Sequence, residues 1–297
     1  MNLLKPWFVF RPQQLLLRIL RQFYLPAEAV VRLPWGLPLA IRPRMAIGRA
    51  IWHTGLYDLA VTEALHRLVL PGAVCLDVGA NIGCLTGLMA LRAGSTGSVT
   101  AFEPFESSHR QLVHNLRLAE AAVKTLAPVT VHCLGLSDHT GAASLVFEDA
   151  EKNVDVQINE GTPYVGAATD SNRAVPIEIA RLDDVLGAAK VDVMKMDVEG
   201  HELAVLHGAS AALAARRITS IVFEDHATGP RSPVRALLEE AGYQIRRLAW
   251  TLAGPGLLAS DEAEVPHRQE SPNYLATLDP QVLPRLEARG WQCLKAA

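Results

Sequence analysis

From Val74 onward, the apolar positions of this 297-residue chain fall into short blocks of two alternating kinds. Compact apolar runs at Val74–Val78, Val99–Phe102, Thr130–Leu134, Val191–Met196 and Ile218–Phe223 read as buried strands. Between them, Leu85–Ala93, Ser107–Ala119, Leu203–Ala214 and Pro233–Ala241 carry helical spacing, with Gly94 and Gly242 as stops. Tyr243–Leu248 and Tyr274–Leu278 supply two further strands. This alternation predicts an α/β fold with a parallel sheet covered by helices on both faces. The pattern breaks once. The β-like runs Ser144–Phe147 and Val175–Ile179 flank a stretch from Asp149 to Arg173 rich in Gly, Thr, Asn and Asp. A connection of that length inside a compact domain is usually functional, so residues 149–174 are expected to form a substrate-side insertion.

Upstream, Leu16, Ile19, Leu20 and Phe23 recur at helical spacing within Gln13–Tyr24, with Arg18 and Arg21 among them. The segment predicts a short amphipathic helix. Its apolar stripe is expected to pack on the main domain or on another subunit of a homo-oligomer, with peripheral contact of residues 13–24 to an anionic membrane surface as the alternative. Pro34, Gly36 and Pro38 punctuate a small hairpin around Leu33–Ile41, and a second amphipathic helix runs from about Asp58 to Leu70, ending at Pro71-Gly72. The domains expected are an N-terminal extension, 1–56, and a main domain, 57–297.

Charge sharpens this division. The 28 Lys and Arg nearly balance 31 Asp and Glu, a net charge of -3 that does not suggest a nucleic-acid binder. Before residue 50, however, eight basic residues face Glu28 alone, so that segment carries +7 and the remainder -10. The four cysteines show neither paired nor zinc-ligand spacing and read as free thiols. No apolar run reaches membrane-spanning length and no cleavable leader is visible, so a cytoplasmic protein is expected.

In a sheet of this type ligands bind at the carboxyl ends of the strands. The first strand runs into Asp77-Val78-Gly79-Ala80-Asn81-Ile82-Gly83, whose glycines permit a tight turn and close backbone approach. Asn81 stands where a dinucleotide fingerprint requires glycine, which counts against a nicotinamide oxidoreductase. Asp77 would repel a pyrophosphate and favour a cationic amino-acid group. The next strand ends in Glu103-Pro104, a carboxylate placed to accept hydrogen bonds from ribose hydroxyls. Ser137-Asp138 follows the third strand, where Asp138 suits either an adenine amino group or an ordinary turn.

The fourth strand crowds Lys195, Asp197, Glu199, His201 and Glu202 into its end, and charges near a core must be paired or used. These residues are the catalytic candidates. In the alternative reading Glu199 and Glu202 favour a helix N-terminus and Lys195 pairs locally. Glu224 and His226, at the end of the fifth strand, could orient or deprotonate an acceptor. The donor types in this group suit divalent ions, but no metal is expected.

Leu76-Asp77-Val78-Gly79-Ala80-Asn81-Ile82-Gly83, Phe102-Glu103-Pro104, Gly135-Leu136-Ser137-Asp138 and Lys195-Met196-Asp197-Val198-Glu199-Gly200-His201-Glu202 together resemble the FkbM-type methyltransferases, class I S-adenosylmethionine enzymes. The likeness covers roughly Pro71 to Glu224. It implies a Rossmann-like, mostly parallel sheet with an antiparallel final strand, and cofactor binding by Asp77, Gly79 and Glu103. Ala80, Asn81, Gly83, Pro104, Ser137, Asp138 and Asp197 complete the candidate donor site. The resemblance further implies methylation of a hydroxyl on a small-molecule or glycan acceptor. A non-catalytic cofactor-binding scaffold is the rival of another kind.

Overall fold

The computed structural model describes residues 5–21, 23–147, 164–166, 173–227, 232–262 and 272–295. The N-terminal part contains helices α1 (Pro6–Val9) and α2 (Pro12–Arg21), a hairpin of β1 (Ala29–Arg32) and β2 (Pro38–Ile41), and helices α3 (Ala46–Thr54) and α4 (Leu59–Leu68). The α/β part begins with β3 (Val74–Val78), α5 (Cys84–Ala93), β4 (Ser98–Phe102), α6 (Glu106–Ala122) and β5 (Val129–His132). A small sheet follows, built from β6 (Gly135–Ser137), β7 (Gly141–Phe147), β8 (Tyr164–Val165) and β9 (Arg173–Arg181). The chain then continues through α7 (Leu182–Leu186), β10 (Val191–Met196), α8 (Glu202–Gly208), α9 (Ser210–Ala214), β11 (Ile218–Glu224) and α10 (Pro233–Glu240). It closes with β12 (Gln244–Thr251), β13 (Gly254–Ala259), β14 (Asn273–Thr277) and α11 (Val282–Glu287).

The main sheet has eight strands in the order β13-β12-β14-β11-β10-β3-β4-β5. β11, β10, β3, β4 and β5 are parallel neighbours, whereas β14 enters antiparallel between β11 and β12. This is the Rossmann-like methyltransferase arrangement expected from the sequence. The chain moves outward from β3 through β4 to β5, then returns to lay β10 on the other side of β3. The order therefore reverses at β3, and the crevice above the ends of β3 and β10 is the place a ligand is expected.

Several elements differ from expectation. The Leu203–Ala214 helix is divided at Ala209, next to Gly208, where a side chain would come within 1.9 Å of the Ser137 carbonyl oxygen. β13 is an additional edge strand, paired antiparallel with β12. The β-like runs flanking the interruption join β6 and β8 in a second sheet ordered β6-β9-β7-β8, while most of the predicted insertion at 149–174 lies outside the described residues. The hairpin turn falls at 33–37 between its two strands, and Leu33, Leu37, Leu39 and Ile41 join the same core cluster as Cys75 and Leu88. Asn115 fixes this union: its side chain bonds the Ala40 amide and carbonyl and the Ile82 carbonyl.

α2 turns most of its apolar stripe away from the main domain, contrary to the packing on that domain expected of it. Leu16 and Leu20 are each 60% exposed, while Gln14 is buried. Gln14 and Arg21 bond carbonyls of α3, and half-buried Leu15 packs against the core. Among the described residues, no helix is long and apolar enough to cross a membrane. Cys75, Cys84, Cys133 and Cys293 are free, with Cys133 exposed.

Candidate active site

The loop after β3 is shaped by alternating left-handed residues: Gly79, Asn81 and Gly83 have φ of 76°, 48° and 84°. Asn tolerates this region better than most non-glycine residues, so the Asn81 that breaks the dinucleotide fingerprint still makes the turn. At Gly79 no substitute fits, because a Cβ would lie 1.9 Å from the Asp197 carbonyl oxygen. The Gly83 position is closed by Leu112, 2.4 Å from a built Cβ. The loop is thus wedged between the end of β10 and the body of α6.

Beneath it, Asp77 is fully buried. One of its oxygens accepts from Thr86 Oγ1 at 2.6 Å, and the other lies 3.4 Å from Lys195 Nζ. Lys195 also donates to the Gly79 carbonyl at 2.6 Å and stands 3.8 Å from Asp197. Burial pulls the Lys195 ammonium down, but Asp77 and Asp197 outweigh it and leave its pKa above the ordinary value. Glu103 closes the other side: its two oxygens accept from the amides of Asn81 at 2.8 Å and Phe105 at 2.9 Å.

These elements border a cavity at the carboxyl ends of β3, β4 and β10. Phe105, Leu134, Leu136, Leu145 and Val165 give it an apolar wall, in which Leu145 and Val165 come from the small sheet. Asn81, Glu103, Lys195, Asp197, Glu199 and His201 supply its polar lining. Glu199 has φ of 52°, a left-handed conformation unusual for glutamate. Its carboxyl is pushed up to about 7, first by burial and then by Asp197 and Glu224. His201 is held below the ordinary histidine value by burial, and its Nε2 lies 2.9 Å from Ser137 Oγ.

The predicted residues divide into three groups. Gly79, Ala80, Asn81, Glu103, Pro104, Asp197, Glu199 and His201 line the cavity together. Asp77, Gly83 and Ser137 lie behind the lining and act on it through Lys195, the start of α5 and His201 respectively. Asp138 lies outside the cavity: its side chain is 54% exposed and bonded to His139 and Ser137. Glu224 and His226 sit beyond Glu199 and pair with each other at 3.2 Å. Donor atoms of Glu199, Glu224 and His226 fall within 4.8 Å of one another. Glu202 fulfils the alternative structural role, accepting from the amides of Val198 and Gly200. Sequence reasoning missed Tyr57, which lines the cavity and a smaller one beside Glu224; no charge or glycine marks it.

Comparison with known proteins decides the kind of site. The Methyltransferase FkbM domain matches residues 77–245, more than half of the chain and the whole stretch from Asp77 to β12. The chain belongs to the FkbM methyltransferase family. Methyltransferase sdnD of Sordaria araneosa is 31% identical over 198 residues, covering 58% of this chain and 73% of that protein. Hexuronic acid methyltransferase AglP of Haloferax volcanii is 30% identical over 198 residues, covering 64% of this chain and 72% of that one. Among solved structures, the FkbM methyltransferase of Methylobacillus flagellatus KT matches at 17% identity with a TM-score of 0.44. That match covers 78% of this chain and spans 52% of that protein. Family membership makes this a methyltransferase and sets aside the oxidoreductase and scaffold readings.

Proposed function

We propose that this FkbM methyltransferase uses S-adenosyl-L-methionine to methylate a hydroxyl oxygen of a small-molecule or carbohydrate-like acceptor, with Glu199 as the general base. One observation carries the reading: a single cavity has Glu103 with both oxygens on the glycine loop and, on its wall, Glu199 with a carboxyl near neutrality. The residues fit the donor. Each Glu103 oxygen keeps a second acceptor site for a ribose hydroxyl, the apolar wall suits a flat base, and the carboxylates of Glu103, Asp197 and Glu199 suit a sulfonium and its ammonium group.

When bound, S-adenosylmethionine supplies a methyl group already joined to its leaving group. The protein must then position the acceptor and take its proton. Glu199 is suited to this because a base with a pKa near 7 is substantially ionised at neutral pH and still holds a proton well. Asp197 is engaged by Lys195, and His201 is steadied by Ser137. Glu224 and His226 support Glu199 from behind by shaping the field around it.

Glu199→Gln is expected to lower turnover about 10²–10⁴-fold while changing donor affinity little, and wild-type kcat should rise as pH passes through about 7. Release of S-adenosylhomocysteine over a panel of alcohols, uronic acids and amines tests both points. Undiminished turnover would remove Glu199 from the chemistry, and methylation of amines alone would overturn the hydroxyl acceptor. The hexuronic acid named for the Haloferax volcanii relative supports including uronic acids.

Donor binding should also depend on pH. Burial pushes the Glu103 carboxyl up to about 7 despite the two amides it accepts from. The ionised form accepts hydroxyl hydrogens at both oxygens, so binding draws Glu103 toward ionisation and expels a proton below about pH 7. Affinity for S-adenosylhomocysteine is therefore expected to level off well above pH 7 and to weaken below it, approaching about tenfold per pH unit. Calorimetry across this range checks it; a flat profile would detach Glu103 from the donor site.

A further inference from the structure

We propose that the outward face of α2 seats this protein on an anionic lipid bilayer. Apart from half-buried Leu15, the helix turns its apolar side chains outward. Gln14 donates from Nε2 to the His53 carbonyl at 3.2 Å, the Arg18 guanidinium lies over Phe8, and that of Arg21 lies 4.0 Å from the Trp52 ring while donating to the Trp52 carbonyl at 2.9 Å. Leu16 and Leu20, at i and i+4 on α2, are each 60% exposed, and Phe23, just beyond the helix, is 82% exposed. Of the twelve exposed large apolar side chains among the described residues, nine fall between Val9 and Val30, so they mark one region and not a scatter.

An amphipathic helix ordinarily turns its apolar stripe to the core, where each large side chain gains about 1.5–3 kcal/mol on burial. Here Gln14, Arg18 and Arg21 take most of that place beside half-buried Leu15, and nothing among the described residues covers Leu16 and Leu20. Charge identifies the cover. The segment through Arg49 carries +7 and the remainder -10, so an anionic surface attracts this end and repels the body behind it. Arg32 is exposed on the same side of β1 as exposed Val30, so this part of the chain presents a cation together with an apolar side chain. A second copy docking through the same face would set one +7 segment against another, which disfavours that occupant. The geometry also ties the surface to the cavity: α3, which holds α2, contributes Ile47 to the cavity lining. Seated in this way, the site opens within one helix of the membrane.

Co-sedimentation of the full chain with vesicles tests the proposal, using phosphatidylcholine alone and phosphatidylcholine with about one third phosphatidylglycerol. The expected result is association with the anionic vesicles, weakened by high salt and reduced about tenfold or more on neutral ones. Leu16→Ser/Leu20→Ser, which removes apolar surface without adding charge, should reduce it similarly, with thermal melting unchanged because both side chains are exposed. Failure of the wild-type chain to bind anionic vesicles, or equal binding by the variant, would overturn the proposal. So would a wild-type dimer in sedimentation velocity that the variant converts to monomer without any vesicle binding, since the face would then belong to a second copy.

Discussion

A Lys195→Met variant is expected to lose about 3–5 kcal/mol of folding free energy and, with it, donor binding. Lys195 is 5% exposed and its ammonium is shared among the Gly79 carbonyl, Asp77 and Asp197. Methionine fills much of the volume but strands the fully buried Asp77 carboxylate, which then has to take up a proton or draw in water. The glycine loop loses its tether at Gly79 O at the same time. A double variant, Asp77→Asn/Lys195→Met, separates the two effects. Removing both charges should recover much of the stability, because a buried pair contributes little relative to neutral residues, yet donor affinity should stay low because no donor reaches Gly79 O. Urea denaturation and calorimetry with S-adenosylhomocysteine measure the two quantities. A single variant as stable as wild type would mean that the ammonium does not hold the loop.

How much was legible in the sequence depends on which physical signal each element carries. β3, β10 and β11 are central strands buried on both faces, so continuous apolar runs marked them almost to the residue. The mostly parallel sense of the main sheet and its antiparallel last strand followed from the family resemblance and from the alternation of elements, whereas the strand order came only with the structure. Edge strands lack that signal: β13 contains Gly254, Pro255 and Gly256 and reads as a turn. The packing of α2 was illegible for a different reason. Periodicity shows that a helix has two faces but not which one meets the protein, and here Arg18 and Arg21 find aromatic rings beneath them.

The site shows the same limit. Strand ends and glycine spacing located Glu103, Asn81, Asp197 and Glu199 on one cavity. They could not separate residues that face the cavity from those one layer behind. Asp77 and Glu103 look alike in sequence, as acids at the carboxyl ends of neighbouring strands. Asp77 is turned toward Thr86 and Lys195, and Glu103 toward the loop amides and the cavity. Asp138 was placed by analogy with a third strand end, but β6 leaves the main sheet for the small one and carries Asp138 to the surface.

An Arg67→Met variant is expected to destabilise the protein by about 3–5 kcal/mol as well, at a place the sequence disguises. Glu63 and Arg67 stand four residues apart on α4, a spacing that reads as a solvated surface pair. Both side chains are fully buried, 2.6 Å apart. Arg67 donates to the carbonyls of Arg285, Ala288 and Gly290, while Glu63 accepts from the amides of Gln292 and Cys293. The pair therefore anchors the C-terminal segment to α4, which begins beside the cavity residue Tyr57. This sets it apart from an isolated buried ion pair. Replacing both partners by apolar residues, as in Glu63→Leu/Arg67→Met, removes the charges but leaves three carbonyls and two amides without their partners. The double variant should thus remain destabilised, in contrast to the recovery expected at Asp77 and Lys195. Equilibrium denaturation of the two single variants and the double one decides the matter: wild-type stability in the double variant would show that the charges hold only each other and that the C-terminal segment is secured by its apolar contacts through Trp291 and Leu294.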